Sequence, residues 1–131
     1  GASPSCQALR AFRSMLAQEL ALWGKFLSMN LKGLESQAEL ATLFRRGDFI
    51  SPHTGQKAGR VLGFLLFLTK HWREAWGGGL WWLGARPAEQ FLPQFNVLHL
   101  FAPSDDSLHL VSPVTIDAEP CLVISGWFLH E

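Results

Sequence analysis

The segment Val61 to Thr69 does most to limit the folds open to this chain. It reads Val-Leu-Gly-Phe-Leu-Leu-Phe-Leu-Thr, apolar at odd and even positions alike. A strand with one wet face alternates polar and apolar residues, because successive side chains point to opposite sides. An unbroken apolar run therefore predicts a central strand covered on both faces. One cover is legible upstream. Leu9, Phe12, Leu16, Leu20, Trp23 and Leu27 recur at steps of three and four, with Arg10, Arg13 and Glu19 between them. That period predicts an amphipathic helix, within a helical region over residues 1–35. Ser3 or Ser5 suits its cap and Pro4 its first turn. Gly24 and Gly33 weaken the pattern toward its end.

Downstream the pattern shifts to short β segments between breakers. Ser36-Gln37-Ala38-Glu39 offers a capping box, although Ala-Glu-Leu-Ala-Thr-Leu-Phe equally suits entry into a strand. Arg46-Gly47-Asp48 reads as a turn, and Phe49-Ile50-Ser51 as a brief strand stopped by Pro52. After Gly77-Gly78-Gly79 comes Leu80 to Leu83, then a loop bracketed by Pro87 and Pro93. Asn96 to Phe101, Leu108 to Val111 and Leu122 to Leu129 complete the strands, with a turn at Pro103 to Asp106. A helix and about seven short strands in 131 residues predict one mainly β domain (α+β). In it the helix packs on a small antiparallel sandwich or jelly roll.

Composition excludes several function classes. Eleven basic and eleven acidic side chains cancel, which argues against a nucleic-acid partner. The cancellation is between halves: residues 1–86 sum to +6 and residues 87–131, without one Arg or Lys, to −6. The longest apolar run, Phe64 to Leu68, is far below the roughly 20 residues of a membrane span. The first residues lack a signal-peptide layout. Cys6 and Cys121 read as free thiols of a reducing, cytoplasmic compartment. P-loop, dinucleotide-binding and nucleophile-elbow motifs are missing.

Three segments carry a resemblance. The first is Gly47-Asp48-Phe49-Ile50-Ser51-Pro52-His53-Thr54-Gly55, followed by the strand from Arg60. The second is Trp72-Arg73-Glu74-Ala75-Trp76-Gly77-Gly78-Gly79-Leu80-Trp81. The third is Pro93-Gln94-Phe95-Asn96-Val97-Leu98-His99-Leu100-Phe101, then His109, then Ser125-Gly126-Trp127-Phe128. In this order they resemble the prolyl-hydroxylase-like branch of the Fe(II)/2-oxoglutarate-dependent oxygenases. The resemblance spans about residues 40–131 and implies a double-stranded β-helix (a cupin-like jelly roll) there. It also implies Fe(II), held by two His and one carboxylate, and 2-oxoglutarate, anchored by a basic side chain.

His53 and His109 match the two His ligands. The carboxylate position of the His-x-Asp motif holds Gly55, and the basic anchor position falls at Pro120 and Cys121. Lys57, Arg60 or Lys70 could anchor 2-oxoglutarate from elsewhere, with Arg60 and Lys70 the leading candidates. Asp105 and Asp106 lie in a turn and read as solvated. His53 and His109 are then either a weak two-ligand metal site or polar remnants in a family-shaped pocket. His71, His99 and His130 have no ligand-like spacing. Trp72, Trp76 and Trp127 follow the family's structural pattern, whereas of neighbours Trp81 and Trp82 one should face outward as a partner surface.

Two losses together imply a catalytically degenerate domain that binds or scaffolds a protein partner, or itself. The competing reading is an active oxygenase, or a halogenase in which a halide fills the site vacated at Gly55. On sequence grounds alone, Gly55→Asp should raise metal affinity.

Overall fold

The computed structural model describes residues 3–36, 40–117 and 120–130. The first element is a 24-residue helix, α1 (Pro4–Leu27). Gly24 lies within it, and Ser28, at φ 55°, takes the left-handed conformation that ends it. Nine strands follow among the described residues: β1 (Glu35–Ser36), β2 (Leu40–Phe44), β3 (Ile50–His53), β4 (Arg60–Phe67), β5 (Leu80–Trp82), β6 (Glu89–Phe91), β7 (Val97–Phe101), β8 (His109–Val111) and β9 (Cys121–Leu129). A 3-10 turn, Glu74–Trp76, precedes β5.

They form two antiparallel sheets. The larger runs β1-β9-β4-β7, with β2 also paired to β9, and the smaller runs β3-β8-β5-β6. Strand β4 lies between β7 and β9 and is buried along residues 62–67, as its two-faced apolar pattern requires. Its even positions Leu62, Phe64 and Leu66 join Ile124 and Phe128 of β9 in a core with Leu16 and Leu20 of α1. Its odd positions Leu65 and Phe67 join Cys121 and Val123 of β9 in a second core, with Leu80 and Val111 of the smaller sheet. The helix covers one face of β4 and the smaller sheet covers the other, which is the layered solution for such a strand.

Two expectations needed changing. The residues bracketed by Pro87 and Pro93 are not all loop. Glu89–Phe91 form β6, the edge strand beside β5. All three are exposed, so no buried alternation marks them in the sequence. Nine strands also exceed the seven foreseen, because two-residue β1 and three-residue β6 are too short to carry a period. Of the two readings of Leu40–Phe44, the strand is the one observed. The proposed capping box falls mostly on residues 37–39, outside the described residues.

Candidate functional site

His53 ends β3 and His109 begins β8, and the two are cross-strand partners. Paired positions point to the same face, so the register alone brings these imidazoles together. Their ring centroids are 4.4 Å apart. His109 is buried and enclosed by Trp82 at 4.7 Å and Phe101 at 5.0 Å, whereas His53 is exposed. His109 Nδ1 lies 2.6 Å from the Ser107 carbonyl oxygen. A carbonyl only accepts, so Nδ1 carries the proton and Nε2 keeps its lone pair. Desolvation by burial lowers the pKa of His109, the Ser107 hydrogen bond pulls it up, and neighbouring His53 lowers it again. Burial, then the charge of Arg60, lowers that of His53.

Ser107 is a positioning residue that sequence spacing gave no reason to single out. It is buried, and its Oγ lies 2.7 Å from the Thr54 carbonyl and 2.8 Å from the Ser104 carbonyl. That hydroxyl ties the chain just after His53 to the turn just before His109.

Beside the histidines lies a cavity of about 130 Å³, bordered by Ile50, Phe101, Val111, Ser125 and Trp127. Neither Arg nor Lys lines it. Gly55 adopts φ +77°, a left-handed conformation that favours glycine, and a Cβ there would lie 2.5 Å from Trp127 Cη2. The Trp127 ring is itself confined. Gly63 lies behind it, where a Cβ would sit 2.6 Å from Cζ3. Phe101 meets it edge-on at 5.5 Å, and the Arg60 guanidinium covers it at 4.1 Å. Arg60 Nη1 also donates to the Gly55 carbonyl at 3.0 Å. An indole and a guanidinium thus close around Gly55.

The other candidates are dispersed. Lys70 places its Nζ over Phe95 at 4.7 Å, and neither it nor exposed Lys57 lines the cavity. At the anchor position Cys121 is buried, while Thr69 Oγ1 reaches the Pro120 carbonyl at 3.5 Å and accepts from the Leu122 N–H at 2.7 Å. Asp105 and Asp106 are exposed. Trp82 faces inward, 5.1 Å from Phe101, and half-buried Trp81 takes the outer face of β5. His99 packs edge-on between Phe67 at 5.5 Å and Phe91 at 5.2 Å.

No group of three His, Cys, Asp or Glu able to hold a metal occurs among the described residues. Two imidazoles face each other, but the residues at Gly55 do not fit the facial triad that holds Fe(II). Arg60 is the basic group whose charge acts on His53, and it is engaged with Gly55 and Trp127. On the sequence expectation, Gly55→Asp restores a ligand. Here the local geometry works against it, because Gly55 lies at φ +77° and a Cβ there would lie 2.5 Å from Trp127 Cη2.

Two stacked antiparallel sheets with paired histidines at one end of the smaller sheet define an oxygenase-like double-stranded β-helix. The sequence profile of the 2OG-Fe(II) oxygenase superfamily matches residues 40–129, and the chain belongs to that superfamily. Its fold is similar to a prolyl-4-hydroxylase from Pseudomonas putida, at TM-score 0.75 and 24% identity over 100% of this chain and 70% of that one. It is also similar to the viral collagen prolyl hydroxylase of Paramecium Bursaria Chlorella virus-1 in its 2OG complex, at TM-score 0.66 and 12% identity over 95% and 71%. A prolyl hydroxylase from Trichoplax adhaerens, in complex with a hypoxia inducible factor peptide fragment, gives TM-score 0.63 and 18% identity, with 98% of this chain covering 59% of that one. No described helix is long and apolar enough to cross a membrane.

Proposed function

We propose that this domain does not turn over 2-oxoglutarate and instead serves as a protein-binding module built on an oxygenase scaffold. The observation that carries this reading is the packing around Gly55, the residue that the resemblance aligns with the metal-binding carboxylate. Gly55 brings no side-chain donor atom, its carbonyl is taken up by Arg60, and Trp127, stacked under the same guanidinium, occupies the adjoining space. A halide at the vacated position would meet the same indole. The absence of Arg and Lys from the cavity lining supports the reading independently, since a five-carbon dicarboxylate needs a cationic partner in so apolar a setting. Exposed Phe26 and Phe49, at 74% and 59%, offer apolar surface for an associating chain.

The test is anaerobic calorimetry of Fe(II) and 2-oxoglutarate, separately and together, followed by succinate analysis in air with and without chloride. The expected result is weak metal binding at most, no gain in 2-oxoglutarate affinity when metal is present, and no succinate. Tight, mutually dependent binding with succinate release would establish an active oxygenase, and chloride-dependent products a halogenase.

A further inference from the structure

The two sheets end side by side in strands with a free edge. β7 pairs with β4 and β6 with β5, and neither has a second neighbour among the described residues. Between them lies an open groove of about 560 Å³. Residues 98–102 all border it in unbroken succession. Side chains on a strand alternate in direction, so five consecutive lining residues mean that the groove runs along the backbone edge of β7. An edge of that kind presents unpaired N–H and C=O groups, the template for strand addition.

The side chains specify what would enter. Trp82, Phe91, His99 and Phe101 make an aromatic floor. Glu89 and Asp106 border the groove and are exposed, and no described ion pair holds either carboxylate. In register Glu89 lies opposite Trp82, and Phe91 opposite fully buried Leu80, so Glu89 and Phe91 share the inward face of β6. His99 Nε2 is buried and has no hydrogen-bond partner among the described residues. Trp82 and Ala85 apart, the lining comes from residues 87–131, which have no Lys or Arg to offset their acidic groups. Aromatic faces beside unpaired carboxylates favour an ammonium or guanidinium.

We propose that this groove receives an extended segment of a protein partner, added as a strand beside β7, with a Lys or Arg reaching Glu89 and Asp106. The five residues of β7 match a partner segment of about the same length, roughly 17 Å at 3.3 Å per residue. The proposal names the partner chemistry for the binding-module reading and rests on it. Its test reads peptide binding and involves no metal, so each can fail without the other.

Random eight-residue peptides displayed on phage would be selected against the intact protein, and the enriched peptides synthesised. Enrichment of Lys or Arg among β-forming residues is expected. Binding should weaken about tenfold or more in the Glu89→Lys, Asp106→Lys double variant, as for loss of a close charge pair. N-methylation of alternate peptide amides should weaken it similarly, because it removes ladder donors and leaves every side chain. Both substituted positions are exposed, and an unchanged circular dichroism spectrum would certify the variant's fold. Failure to enrich any peptide, peptides without basic residues, or undiminished binding by the double variant would overturn the proposal. So would sedimentation showing that the groove is closed by a second copy of this chain.

Discussion

Replacing Gly55 by Asp restores, letter for letter, the motif of the superfamily's metal ligands, and the outcome should be loss rather than gain. Two costs add. A non-glycine residue at φ +77° pays about 1–2 kcal/mol, toward the lower end for Asp. The new Cβ would lie 2.5 Å from Trp127 Cη2, and overpacking of this kind costs roughly 1–3 kcal/mol. The ring has little room to yield, since Gly63, Phe101 and Arg60 hold its other sides. The sum is about 2–4 kcal/mol, and at this chain length each kcal/mol lowers Tm by ~4 °C. Calorimetric melting of the metal-free protein should therefore show a drop of about 8–16 °C. Gly55→Ala, which adds Cβ without charge, should show most of it. Mn(II) titration of Gly55→Asp should show affinity no higher than wild type. An unchanged Tm together with new, tight Mn(II) binding would refute the reasoning, because it would mean that the indole moves aside freely.

Stability should depend on pH through imidazoles that folding desolvates to different degrees. His53, His99 and His109 all have pKa values lowered from 6.5, burial being the main cause in each. The unfolded chain then takes up protons near pH 6.5 while the folded chain waits for lower pH, so this contribution is complete above about pH 7 and is lost as pH falls below 6.5. Urea midpoints at pH 7.5, 6.5 and 5.5 should fall in that order, and equal midpoints would contradict the account. Burial pushes the Cys121 thiol up to about 11, so iodoacetamide should leave it unmodified at pH 7.5 in native protein and label it in urea.

How much of this was legible follows from the range of the interactions involved. The helix and β4 could be read directly because their periods are local and their apolar residues are many. The pairing of His53 with His109 was indicated by motif order, and the register of β3 on β8 realises it. The role of Trp127 was not legible. Its ring fills the space beside Gly55 because β9 lies next to β4, and that adjacency joins residues 72 positions apart. Ser107 stayed hidden for the same reason, since its bond to the Thr54 carbonyl spans 53 positions. Arg60 was a candidate anchor because it is basic, but only the folded chain reveals that Gly55 and Trp127 already engage it.

The alternation along β4 and β9 has a consequence for how such a domain can change over time. Among the described residues, the helix-side core and the barrel-side core share the backbones of β4, β7 and β9 and no side chain. Substitutions on one side therefore reach packing on the other through shifts of those shared backbones rather than through direct side-chain contact. The interior that faces the histidines can be rebuilt, ligand by ligand, while the layer that secures folding stays intact. An architecture of this kind can keep its fold while the chemistry of its interior changes.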